Sequence, residues 1–397
     1  MNKKYSLNTV IMIVCFFTVI AIALTSVFFA FVVVPIREGK LYRYNERVLE
    51  ISDLVDKYYI GDIDKQTMID GLAYGFVAGL NDRYAGYLTV DEATENTNSL
   101  KGYNTGIGIQ ATMHPDSYNI YVSEVHKNSP AEKAGIKKGD EIVSLDGNVV
   151  KEIGYSAAIN YIPTVPIGQK IAVTVLRQGV TLNLEITLSL FVSQSVFYEK
   201  IGNIGYINIT TFNDKTVEQF KSAVDNLIKQ DAVALIFDVR GNGGGTLDSV
   251  YQMVDYLVPE GLVTKVDYKG DEFDEILMSD KHEINLPMAV LTDKNSASAS
   301  ELFTQSLIDY GKAVSIGRKT YGKGVVQRTY TLSDGSQVRF TVAKYYTKSG
   351  ICVEGVGIEP TIPVEWTDDE LRYRFVNGIR ADKDFLAAQQ YLNNQLS

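Results

Sequence analysis

The chain changes its hydrophobic period three times. From Tyr5 to Ile36 no residue is charged, and Thr9–Val34 is apolar nearly throughout. As a helix that run would span about 39 Å, more than the roughly 30 Å hydrocarbon layer of a membrane. The period then becomes helical. LYRYNERVLEISDLVDKYYI and TMIDGLAYGFVAGLN each repeat apolar residues at helical spacing. Between Gly102 and Leu190 the period falls to two. SYNIYVSEV, DEIVSLDGNVV, KIAVTVLRQG and VTLNLEITLSL read as strands separated by Gly, Asn or Asp turns, with SPAEKAG as a short capped helix. From Phe191 to Trp366 strands (IGYINI, AVALIFDVR, MAVLTD, AVSIG) alternate with helices over Thr216–Lys229, Leu247–Leu257 and Ser298–Tyr310. A hairpin closes at Ser333-Asp334-Gly335. The remainder reads as helical and polar.

The pattern divides the chain into a short tail (1–8), an apolar span (9–34), a helical arm (35–100), a β-rich unit (101–190), an α/β core (191–366) and a helical tail (367–397). The span is read as an uncleaved anchor. Ala21-Ile22-Ala23 resembles a cleavage site, but cutting there would leave LTSVFFAFVVV as a new terminus. Lys3 and Lys4 precede the span and Arg37, Lys40, Arg43 and Arg47 follow it, so charge does not orient it.

Composition narrows the chemistry. A net charge of -10 disfavours a broad nucleic-acid footprint. Two cysteines make neither a disulfide framework nor a four-cysteine zinc site, and no bond is expected between Cys15 and Cys352. His114, His126 and His282 are scattered and no HExxH exists, so no metal is expected.

Four motifs carry candidate chemistry. Gly106-Ile107-Gly108-Ile109 precedes a strand. Such a loop can aim backbone N–H groups at a peptide carboxylate, or be simply a tight turn. Asp238-Val239-Arg240-Gly241-Asn242-Gly243-Gly244-Gly245 follows an apolar strand and can present N–H groups to an oxyanion. Thr246 breaks a dinucleotide fingerprint. Asn295-Ser296-Ala297-Ser298-Ala299-Ser300-Glu301 opens a helix, where a serine is either a cap or a nucleophile. Gly317–Gln327 imitates a phosphate loop, but Gly324 stands where Ser or Thr should be and strand follows it. The alternative is a lysine, Lys323, held in a partly dry glycine loop, where desolvation favours the neutral amine.

Gly106–Ile109, SPAEKAGIKKGDEIVSLDGNVV and VTVLRQG together resemble a PDZ domain. With DGLAYGFVAGLNDRYAGYLTVDEA, DVRGNGGG, SASASE, GRKTYGKGVVQ and GVGIEP, nearly all the chain after the span resembles the C-terminal processing peptidases, the tail-specific serine proteases. The resemblance implies an α/β protease core of the crotonase/Clp-protease-like β-α superhelix kind. It adds an inserted β-rich PDZ domain, the N-terminal helical arm and one N-terminal transmembrane helix. It implies Ser298 as nucleophile, Lys323 as general base and Gln327 as its orienting partner. The oxyanion hole falls to Ala299 with Gly243 or, preferably, Gly244, and Gly106–Ile109 receive a substrate C-terminus. It implies no cofactor, protein or peptide substrates with exposed C-termini, a possible homodimer through the arm, and a membrane-anchored catalytic domain outside the cytoplasm. The absence of histidine from the three core motifs fits a Ser–Lys dyad. Ser296 and Ser300 are fallback nucleophiles. Arg177, ending VTVLR, reads as exposed or as a contact to the neighbouring domain. A non-catalytic PDZ scaffold is the rival reading.

Overall fold

The computed structural model describes residues 6–28, 34–270 and 274–396, with only the backbone described over 34–45. Two compact units are separated at Ile69/Asp70. The first holds α1 (Leu7–Phe28) and α2 (Val34–Tyr58), and α3 (Lys65–Ala78) begins in it. α1 has a mean hydropathy of 2.8 over its most apolar stretch and buries none of it, so it is long and apolar enough to cross a membrane. Positions 29–33 of the apolar span lie outside the described residues.

The second unit continues through β1 (Gly86–Leu88), α4 (Val90–Leu100) and β2 (Tyr103–Gly106). Thr89 and Glu92 close a reciprocal capping box that starts α4, within the stretch expected to be helical. A β-rich domain follows: β3 (Ile109–Met113), β4 (Ile120–Val125), α5 (Pro130–Ala134), β5 (Glu141–Leu145), β6 (Asn148–Val149), α6 (Val150–Ile153), α7 (Tyr155–Tyr161), β7 (Lys170–Arg177) and β8 (Val180–Thr187). Its sheet runs β3-β4-β5-β7-β8, with β6 beside β5. DEIVSLDGNVV is therefore not one strand; it turns at Asp146-Gly147, both at positive φ. β9 (Ser189–Val192) pairs with β2 and closes the domain's base.

The core is built on β10 (Val196–Ile201), β11 (Ile204–Ile209), α8 (Thr216–Lys229), β12 (Ala234–Asp238), α9 (Leu247–Leu257), β13 (Gly261–Tyr268), β14 (Glu275–Ser279), β15 (Met288–Thr292), α10 (Ala299–Asp309), β16 (Ala313–Gly317), β17 (Val325–Thr331), β18 (Gln337–Thr347) and β19 (Ile362–Pro363). One sheet runs β10-β11-β12-β15-β16-β19, parallel from β11 onward. Central strands β12 (ALIFD) and β15 (MAVLT) are buried at every residue, as a parallel strand covered on both faces requires. One face packs on α8, α9 and α10, with Phe220, Phe237 and Phe303 at its heart.

The other face is covered by the tail. After α11 (Asp368–Asn377), α12 (Lys383–Leu396) lays Phe385, Ala388 and Leu392 on Ile236, Ala289 and Leu291. The tail that reads as polar thus carries one narrow apolar stripe and is a layer of the core. The second sheet, β1-β18-β13-β14 with β17 on β18, stands beside the first.

Candidate active site

In parallel sheets, ligands gather beyond the carboxyl ends of the strands. β12 and β15 deliver two motifs there. β12 runs into Asp238–Gly245 and β15 into Asn295–Glu301. They are tied together: Ala297 N–H and Ser300 Oγ both donate to Asn242 O, at 3.0 and 2.8 Å, and Ser296 Oγ donates to Val239 O at 2.8 Å. Ser296 and Ser300 are fully buried in these bonds, which leaves Ser298 as the serine of the run at the cleft.

Ser298 has φ 56° and ψ −113°, a conformation that side-chain-bearing residues rarely adopt. Such strain costs on the order of 1–3 kcal/mol and persists only where its surroundings enforce it. Glu301 enforces it here. Its carboxylate is fully buried and accepts four hydrogen bonds: Ser298 N–H (2.9 Å), Lys323 N–H (2.8 Å), Gly322 N–H (2.7 Å) and Thr320 Oγ (2.6 Å). One side chain therefore fixes the serine turn and the lysine loop to each other. Tyr345 adds a second stitch, its hydroxyl lying 3.1 Å from Ser298 O and 3.0 Å from Lys323 O. Neither role was visible in the sequence. Glu301 had a faint signal, three residues after a helix-opening serine; Tyr345 had none.

Lys323 precedes β17 in a loop held by Glu354, which accepts Gly324 N–H at 2.8 Å and pairs with Arg83 at 2.9 Å. The lysine amine lies 4.8 Å from the centre of the Tyr84 ring. Burial pushes its pKa below the ordinary 10.5, and the positive Arg339 pushes the same way, against Glu354 and Asp82. Gln327 lies inside β17 at an irregularity in the pairing with β18, and its amide donates to Val325 O at 3.3 Å.

Ser298, Ala299, Lys323, Gln327 and Gly243 all line one cleft of about 370 Å³, together with Leu247, Val250, Leu302, Val325 and Val326. Among the described residues no acceptor takes the N–H of Gly243 or Ala299. Gly244 differs. Its N–H donates to Asn242 Oδ1 at 2.8 Å, and it packs so tightly that an added Cβ would lie 2.9 Å from Ser298 Cβ.

The loop's root is electrostatic. Arg240 is buried and pairs with Asp238, Asp382 and Asp384, while Arg374 reaches Asp382 and Arg318 reaches Asp384. Burial disfavours the Asp238 anion, but the Arg240 guanidinium holds its pKa down to about 2. A separate cleft of about 900 Å³, between β3–β4 of the small domain, the core and the tail, opens onto this network and not onto Ser298.

In the small domain, Ile107 O and Gly108 O accept Ala131 N–H (2.7 Å) and His126 N–H (3.1 Å). Among the described residues nothing accepts the N–H of Ile107 or Gly108. A Cβ on Gly108 would lie 2.3 Å from Ser129 Cβ, so only glycine fits there. Gly106 and Ile109 flank these two at the ends of β2 and β3. Arg177 is neither free nor a contact between domains. It forms a bidentate pair with the buried Asp140 and donates to Gly135 O.

Fold and cleft describe a serine-type peptidase with an attached peptide-binding domain. The family models agree: residues 203–364 match peptidase family S41 and residues 105–188 match a PDZ domain. The chain is 31% identical over 331 residues to the carboxy-terminal processing protease CtpB of Bacillus subtilis (81% of this chain, 68% of that one). It is 31% identical over 351 residues to CtpA of the same organism (88% and 73%). A putative S41 protease from Bacteroides fragilis shares the fold, at 18% identity with a TM-score of 0.63 over 85% of this chain and 98% of that one. The chain belongs to peptidase family S41, among the carboxy-terminal processing proteases.

Proposed function

We propose that the protein is a membrane-anchored serine endopeptidase that captures substrate C-termini with its PDZ domain and cleaves by a Ser298–Lys323 dyad. The observation that carries this reading is a serine in enforced strain at a helix start, sharing a cleft with a lysine whose pKa is depressed by burial. Neutral Lys323 takes the Ser298 proton as Oγ attacks the peptide carbonyl. The oxyanion is received by the N–H groups of Ala299 and Gly243. Gly243 is preferred to Gly244 because the Gly244 N–H already has an acceptor. Collapse expels the amine, which leaves with the proton held by Lys323. Water then hydrolyses the acyl-enzyme by the same steps, and Gln327 orients the base.

α1 serves as the single-pass anchor, with the catalytic unit outside the cytoplasm, and the core is read as a crotonase/Clp-like superhelix. Gly106–Ile109 receive the substrate carboxylate. The test is cleavage of an unfolded protein by the detergent-solubilised full chain, with Ser298→Ala beside it. Cleavage by the wild type alone supports the reading. A silent wild type that still binds C-terminal peptides would favour a non-catalytic PDZ scaffold.

A further inference from the structure

Among the described residues, Arg339 stands in the catalytic cleft without a counter-ion. On β18 it pairs with Thr329 of β17 on one side and Gly86 of β1 on the other. The next rows on the same face are Gln327–Thr341 and Thr331–Gln337, so Gln327, Thr329, Thr331, Gln337, Arg339 and Thr341 share one face of the hairpin. Of these, Gln327, Thr329 and Arg339 line the cleft with Ser298 and Lys323. Gly86 has no side chain to cover the guanidinium; a Cβ there would lie 3.9 Å from it.

The Arg339 side chain forms no ion pair and no hydrogen bond among the described residues. The nearby carboxylates are otherwise engaged. Glu354 holds Arg83 and Gly324 N–H, Asp82 accepts from Tyr84 and Thr341 N–H, and Glu301 has its four donors. Flanking Arg339 on the same face, Gln337 Oε1 and Thr341 Oγ are buried without hydrogen-bond partners. A half-buried guanidinium that no carboxylate pairs is an anion site. Its charge also disfavours the protonated form of Lys323 in the same cleft.

We propose that Arg339 is a carboxylate-binding subsite of the cleft. Arg339 lines the same cleft of about 370 Å³ as Ser298 and Lys323, a space that a few residues of an extended peptide fill. Arg339 therefore takes an anionic group close to the scissile bond, either an acidic side chain or the free α-carboxylate of a short tail. This rests on the Ser298–Lys323 reading for the position of the bond, but not for the binding itself.

The test uses the full chain and two families of short peptides. One replaces Asp by Asn, or Glu by Gln, at single positions around the cleaved bond; the other compares a free C-terminus with an amide. The readout is the ratio of kcat/KM for acid over amide, which cancels any general loss of rate. At one position, or at the C-terminus, the acid is expected to be favoured about tenfold or more. The ratio should fall to about one in Arg339→Gln, recover partly in Arg339→Lys and invert in Arg339→Glu. A preference that survives Arg339→Gln unchanged belongs to the PDZ site and overturns the proposal, as does a wild type with no acid preference. The same ratio measured as affinity on the Ser298→Ala protein decides the point without turnover. Failure of the wild type to cut would sink the peptidase reading, while this binding ratio would still accept or reject Arg339.

Discussion

Ser298 shows what a single residue can store. Its positive φ is held by a hydrogen bond from its own N–H to Glu301, and Gly244 leaves room beside it that a Cβ would fill. Gly244→Ala would add an atom 2.8 Å from Ala297 O and 3.0 Å from Ala299 N at a φ of +104°. By displacing the neighbouring Gly243 and Ala299 N–H groups it is expected to cut kcat/KM by about 100-fold or more. Unchanged kcat/KM would show that the turn is not under this constraint. Lys323 gives a pH prediction. A general base must be neutral, so activity rises with pH through the lysine pKa and is lost on the acid side. Burial, then Arg339, holds that pKa below 10.5. Arg339→Gln removes the repulsion, so the limb in kcat/KM should move to higher pH; a limb that stays or moves lower contradicts the electrostatic account.

Elements join what the residues cannot reach alone. The serine turn follows β15 and the lysine loop precedes β17, and the Glu301 carboxylate holds both. Glu301→Gln places an amide donor against N–H donors, and a buried donor left facing another costs about 1–3 kcal/mol. Both thermal stability and kcat/KM should fall, and an unaltered Tm would contradict the stitch. The tail helices hold the opposite side. Removing 367–397 takes Asp382 and Asp384 from Arg240, takes Arg374 from Asp238, and exposes the sheet beneath Phe385 and Leu392. Breaking a buried pair alone costs roughly 3–5 kcal/mol, so the truncated chain is expected not to fold stably by circular dichroism. A cooperative, native-like melt would refute the tail's structural role. The sequence disclosed this region unevenly. Thr216–Lys229 and Leu247–Leu257 were legible because apolar residues recur on one helical face. α6 and α7 were not, being short and started by turns. The tail's stripe of Phe385, Ala388 and Leu392 was hidden among polar residues that face water.

For the whole molecule, the motifs were legible where chemistry demands particular residue types in fixed order. Ser298, Lys323 and the Gly106–Ile109 loop could be read from such order. Arg339, Tyr345 and the Arg240 network could not, because they arise where strands distant in sequence meet. Among the described residues, the N–H groups of Ile107 and Gly108 in the PDZ domain have no acceptor, and these suit a terminal carboxylate. Amidating the C-terminus of a long tail peptide should weaken its binding to the full chain about tenfold or more, by the loss of charge-assisted hydrogen bonds. Equal binding of free and amidated tails would remove the carboxylate from PDZ recognition.

The central claim is that Ser298 is made nucleophilic by Lys323. The direct measurement needs no known substrate: react the full chain with a fluorophosphonate, map the adduct by mass spectrometry, and follow its rate against pH. Modification is expected at Ser298, at a rate that rises with pH and is nearly abolished in Lys323→Ala. Modification at Ser296 or Ser300, or labelling of Ser298 as fast without Lys323 as with it, would contradict the dyad.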